Sequence, residues 1–182
     1  MSLLGLDVTR TVGTSAGMFA LWRLSRFASV TDLDDWEDEV ADDESLLEAV
    51  REGALVPINI GGDGAYQFTV RGVPVLGGLR EREARYRLVS SQPYLLVSDG
   101  LVGLGGLEAV GEYTGADRLQ VSLEPGRYEV QVHLIDWKAE PGAADADGKP
   151  TKDALGDFVI EISQQVPETS RQYRRSLETF SR

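Results

Sequence analysis

Ten carboxylates lie within seventeen residues of this chain: Asp32, Asp34, Asp35, Glu37, Asp38, Glu39, Asp42, Asp43, Glu44 and Glu48. No basic residue follows until Arg51. Carboxylates at that density can ligate a hard cation, work in pairs as acid and base, or present a field to a basic partner. The cation reading needs oxygen ligands and a glycine at fixed places in a twelve-residue loop. In a loop starting at Asp32, the fifth and sixth places hold Trp36 and Glu37, so that reading fails. A second stretch, Ala143 to Ala154, has Asp145, Asp147 and Gly148 in step with a calcium loop. Ala143 and Ala154 stand where its first ligand and its bidentate acid belong, so a flexible polar loop is expected over 140–156.

The field remains. A dense acidic surface steers a basic protein toward it and raises the association rate. It can also imitate the phosphates of a nucleic acid toward a nuclease. The expected contact residues are Asp32, Asp34, Asp35, Trp36, Asp38, Glu39 and Asp42, with Trp36 as the apolar anchor. The bland counterpart is a solvated outer face, which is what charge runs usually are.

Other residues bear on chemistry. Asp63, Asp99 and Asp136 all sit near expected strand ends, and a glycosidase needs only two carboxyl groups at a set separation. With Trp137 they make a second, ligand-binding candidate. Against it, Asp63-Gly64 and Asp99-Gly100 are common turn dipeptides. His133 is the one histidine, so no multi-histidine metal site can form. It falls opposite the apolar set Tyr128, Val130, Val132 and Leu134, which predicts a solvent-facing ring. A Ser–His–acid arrangement would need it, and no nucleophile-elbow sequence is present. Gly103-Leu104-Gly105-Gly106 is half a dinucleotide fingerprint, with Glu108 where the third glycine belongs. The absence of cysteine rules out disulfides, thiolate catalysis and cysteine-held metals. No catalytic residue, metal or cofactor is assigned.

The elements that must position these residues read mainly as strands. Residues 17–27 alternate and are aromatic, as a strand would be. Thr31 to Gly53 reads as one acidic helix, with Thr31 as its cap, Gly53 as its stop, and Trp36, Val40, Leu47 and Val50 on one face. Leu55–Ile60 and Tyr66–Val70 flank a glycine-rich turn, which predicts a hairpin. Arg80–Val89 reads as a charged strand, with a short helix as the alternative. Pro93–Val97 is a short apolar strand. Leu119–Leu123 and Tyr128–Leu134, around Glu124-Pro125-Gly126-Arg127, give the clearest hairpin pattern. Phe158–Ile162 is a last strand. Tyr173, Leu177 and Phe180 fall at helical spacing in a terminal segment, 168–182, that reads as either a helix or a mobile tail. Its arginines, Arg171, Arg174, Arg175 and Arg182, could pair with the acidic helix.

The expected architecture is a single domain, 1–182, mainly β: an antiparallel β-sandwich or barrel-like fold with one acidic helix near 31–52 and a C-terminal helix. A length of 182 residues suits one domain with a real core. A net charge of −12 and a pI near 4.5 argue against nucleic acid or an anionic membrane as partner. No apolar run approaches the roughly 20 residues of a spanning helix. Asp7 and the break at 13–17 make the first 27 residues read as part of the fold rather than a signal peptide. Freedom from cysteine fits a cytoplasmic protein. The leading expectation is a non-enzymatic binding module for a basic protein, as an inhibitor or immunity-type partner would be. The rivals are a small-molecule or carbohydrate-binding domain with carboxylate hydrolysis, and a structural subunit of an oligomer of open stoichiometry.

Overall fold

The computed structural model describes residues 2–167, 172–177 and 179–181. Eight strands form one sheet: β1 Asp7–Thr14, β2 Met18–Arg23, β3 Leu55–Asn59, β4 Gly64–Gly72, β5 Arg87–Ser90, β6 Tyr94–Gly106, β7 Leu119–Ile135 and β8 Phe158–Gln164. Their order is β1-β4-β8-β7-β6-β2-β3, with β5 also paired to β7. The mainly-β expectation holds. The sheet is mixed, because β4 and β8 run parallel while the remaining pairs are antiparallel. Three short α-helices accompany it among the described residues: α1 Leu33–Trp36, α2 Asp43–Arg51 and α3 Glu81–Arg85. No helix among the described residues is long and apolar enough to cross a membrane.

The sheet curls on itself. Phe19 of β2 packs edge-on against Phe68 of β4 at 4.9 Å, although β8, β7 and β6 lie between those strands in the order. The curl comes from the two long strands. β7 pairs with β6 over residues 119–130 and with β8 over residues 128–134, so the two pairings are staggered along it. The register slips between Ser98 and Gly100, and Gly100 has φ of 133°, open in practice to glycine alone. Phe68 and Phe158 stack at 5.0 Å inside the curl, and Phe180 caps Phe158 edge-on at 5.7 Å.

Local alternation identified faces correctly and partners poorly. The segments at 55–60 and 66–70 form no hairpin: β3 pairs with β2, and β4 with β1 and β8. The segments at 119–123 and 128–134 form no hairpin either. They are one strand, with Glu124 and Pro125 opposite the slip in β6, where a proline forfeits no ladder bond. Arg80–Val89 divides into α3 and β5.

The acidic helix also divides. Asp32, one residue beyond the expected cap, accepts the Asp35 N–H at 2.9 Å and starts α1. A π-helical turn spans Glu37–Ala41, then Asp42 turns extended at φ −72° and ψ 125°. Its carboxylate accepts the Ser45 N–H at 2.9 Å and starts α2. A continuous helix would stack like charges three and four residues apart over its whole length. A second capping aspartate in mid-run supplies the break.

The described part of the C-terminal segment is not helical. Thr179 bridges to Asn59, the Phe180 N–H donates to the Asn59 carbonyl at 2.8 Å, and the Phe180 ring enters the core. Burial of that ring against Phe158 fixes an extended strap. Arg171 and Arg182 lie outside the described residues.

Candidate functional site

The acidic segment presents most of its carboxylates to solvent. Asp32, Asp34, Glu37, Asp38, Asp42, Asp43, Glu44 and Glu48 are exposed, and Asp35 and Glu39 half-buried. Five of the seven expected contact residues have internal duties, Trp36 and four carboxylates. Asp32 and Asp42 cap helices, and Asp35 accepts the Thr31 N–H at 3.1 Å. Glu39 takes Arg26 at 2.9 Å, and it alone of the ten is ion-paired among the described residues. The Ser45 backbone and side-chain hydrogen bonds hold the Asp42 carboxyl below the usual carboxylate range. Among the described residues, Asp34 and Asp38 have no side-chain partner, nor do Glu37, Asp43, Glu44 and Glu48, which were not among the expected contacts.

Trp36 is used inward. Its Nε1–H donates to the Leu107 carbonyl at 3.2 Å, and its ring lies against Tyr113. The exposed apolar residue of this surface is Leu33, at 52% exposure. Inside the same segment, Val40, Leu46, Ala49 and Val50 are buried and fix it to the sheet. A depression of about 380 Å³ on α2 is lined by Glu44, Glu48, Arg51 and Glu52.

The second expected constellation is placed on separate elements. Asp63 lies in the turn before β4. Asp99 sits in the slip of β6 and accepts a hydrogen bond from the Ser25 hydroxyl. Asp136 follows β7, with its N–H on the Tyr86 carbonyl. Trp137 is buried and donates from Nε1 to Asp157 at 2.9 Å. The turn at 145–149 closes on the Asp145 carboxylate, which accepts the Asp147 and Lys149 N–H groups. Gly103, from the partial fingerprint, has its α-carbon against Trp22: a β-carbon there would stand 2.9 Å from that ring.

His133 is the clearest correction. The ring does lie opposite the apolar set, yet it is 1% exposed. Both faces of this half of the sheet are covered. The second cover comes from segments 73–86 and 136–157, which the local pattern of β7 cannot reveal. Beneath it runs a polar layer. In register across four strands lie Asp7, Arg71, Glu161 and Gln131, and in the next row Thr9, Thr69, Val159, His133 and Ser90. Arg71 makes a two-pronged pair with Glu83 of α3, at 2.9 and 2.8 Å. That pair raises Arg71 further above its ordinary value, against burial. Burial pushes Glu83 upward, but the hydrogen bonds from Arg71 and the Arg80 N–H outweigh it and leave its carboxyl below the usual range. Glu161 is fully buried and accepts the Gly77 and Gly78 N–H groups, at 2.7 and 3.2 Å. It also meets His133 Nε2 at 3.2 Å, while Ser90 Oγ is 2.7 Å from Nδ1. Sequence reasoning missed this layer. The one available signal was the polar alternate set Glu129, Gln131 and His133 facing Glu161 and Ser163.

Among the described residues, no group of three or more histidine or acidic side chains is arranged to hold a metal ion. No family model matches the sequence, and no curated protein matches it. Similar solved structures include one titled Crocagin biosynthetic gene J, which is 14% identical. That match covers 88% of this chain and 97% of that one, with a TM-score of 0.55. Another is ComJ from Bacillus subtilis, titled an inhibitor of the DNA degrading activity of NucA. It is 12% identical, covering 87% of this chain and 96% of that one, with a TM-score of 0.42. The first likeness shows a shared β-rich fold.

Proposed function

We propose that the protein is a binding module whose surface at 32–48 receives a basic protein, in the manner of an inhibitor or immunity partner, in the cytoplasm. One observation carries this reading. Arginine pairs with acids across the rest of the molecule, in Arg10–Asp117, Arg71–Glu83, Arg80–Asp7, Arg82–Glu140 and Arg118–Glu112. The densest run of acids takes only Arg26 among the described residues. Among the described residues, six of its carboxylates are left without a side-chain partner, on a segment whose apolar side is fixed in the core. Charge held on an ordered support steers association, and Leu33 supplies an apolar contact after encounter. Nucleic acid and anionic membranes are the wrong sign for this surface.

The test is capture of partners on the immobilised protein at low and high salt, followed by association kinetics with the protein retained. Joint neutralisation of Asp34, Glu37, Asp38 and Glu44 to Asn or Gln should slow association at least tenfold at low salt. An unchanged rate would remove the surface from the mechanism. Small-molecule hydrolysis by Asp63, Asp99 and Asp136 gains no support from their placement on separate elements.

A further inference from the structure

The polar row ending at Ser90 has chemistry that the acidic surface does not use. Two backbone N–H groups, from Gly77 and Gly78, point at Glu161 Oε2, so that oxygen is an acceptor. His133 Nε2, 3.2 Å from the same oxygen, must therefore carry its proton and donate. In the neutral ring Nδ1 is then bare, and at 2.7 Å it can only accept from the Ser90 hydroxyl. The tautomer is thus set by the network: the free lone pair of the ring is aimed at the serine proton. Ser90 is the half-exposed end of this row, while His133 and Glu161 are buried. It lies on β5, whose ladder is with β7 alone among the described residues, beside Leu88 and Val89 at 44% and 39% exposure.

We propose that Ser90 is an activated nucleophile toward carboxylic esters with an apolar acyl group, with His133 as its base and Glu161 as the positioning residue. Oγ attacks the ester carbonyl as its proton passes to Nδ1. The bond to the leaving alkoxide breaks, and the alkoxide takes that proton and departs as an alcohol, leaving acyl-Ser90. Water then gives a proton to the same nitrogen, attacks the acyl carbon, and releases the acid as the proton returns to Oγ. Throughout, Nε2–H stays on Glu161, which holds the ring in the productive tautomer. The exposed Leu88 provides the surface for the acyl chain.

The experiment is labelling of the folded protein with an alkyl fluorophosphonate, read by intact mass and peptide mapping, beside hydrolysis of p-nitrophenyl butyrate. One adduct is expected, on Ser90, absent from Ser90→Ala, with labelling about 100-fold slower in His133→Gln. Because His133 is buried, the tautomer is read separately in the unmutated protein by 15N NMR of its one imidazole, where an unprotonated Nδ1 is expected. Glu161→Gln, if folded by circular dichroism, should weaken the preference for that tautomer as well as slow labelling. The charged groups around the ring are Glu161 on β8 and, next to it, Arg71 on β4 with Glu83 on α3. No adduct on the folded protein, adducts scattered over many serines, or a protonated Nδ1 would each overturn the proposal.

Discussion

At the residue scale, the same side-chain type serves different ends according to its partners. Asp42 and Asp38 are both exposed aspartates of one acidic run, yet Asp42 caps a helix and Asp38 has no side-chain partner among the described residues. Replacing Asp42 with Ala should lower the melting temperature, and Asp42→Asn should retain most of the stability, because an amide oxygen still accepts the Ser45 N–H. The sign of the pH dependence follows from its depressed folded value. The advantage of the native carboxylate over Asp42→Asn is full above the unfolded value near 3.8 and disappears as pH falls through the folded one. Thermal scans of both proteins from pH 7 to pH 2 check this. Arg71 and Glu83 are the other extreme, with side chains 9% and 7% exposed. Glu83→Gln should cost about 3 kcal/mol in urea unfolding, since it leaves the buried guanidinium only the longer pair with Asp7, at 3.6 Å, among the described residues. Removing both charges, in Arg71→Met with Glu83→Leu, should recover much of that loss.

At the element scale, the strap at 179–181 matters more than its length suggests. Phe180 is 7% exposed and rests on Phe158 between elements far apart in the chain. Phe180→Ala should destabilise the fold by about 3–5 kcal/mol, measured by urea unfolding, with Phe180→Leu closer to the native protein. Nothing at 172–181 announced a strap, because helical spacing of Tyr173, Leu177 and Phe180 is also met by an extended segment that buries only the last of them. Strand positions were legible, since alternation at 66–70, 128–134 and 158–162 is a local property. Pairing was not. β3 and β4 are separated by four residues and do not pair: β3 lies on β2, and β4 between β1 and β8. Glu124-Pro125-Gly126 has turn composition, yet it stays within β7 because β6 bends opposite it.

At the scale of the whole molecule, a net charge of −12 is unevenly distributed. The acidic run was readable directly, since nothing about folding could hide ten carboxylates with one arginine. Its division into two capped helices was less so, and Trp36 turned inward where an outward anchor was expected. The polar layer around Ser90, His133 and Glu161 was hidden for a different reason. Sequence alternation says which side chains share a face, but what covers that face comes from other segments, 73–86 and 136–157, whose placement it does not encode.

The measurement that tests the central claim most directly is the ionic-strength dependence of association with the captured basic partner, for the native protein and for the variant neutralised at Asp34, Glu37, Asp38 and Glu44. The account predicts a native rate that falls steeply between roughly 0.01 and 0.15 M salt, as screening shortens from about 30 Å to 8 Å, and a slow, nearly flat rate for the variant. Equal rates and equal slopes for the two proteins would contradict it and leave the acidic surface with no role in binding.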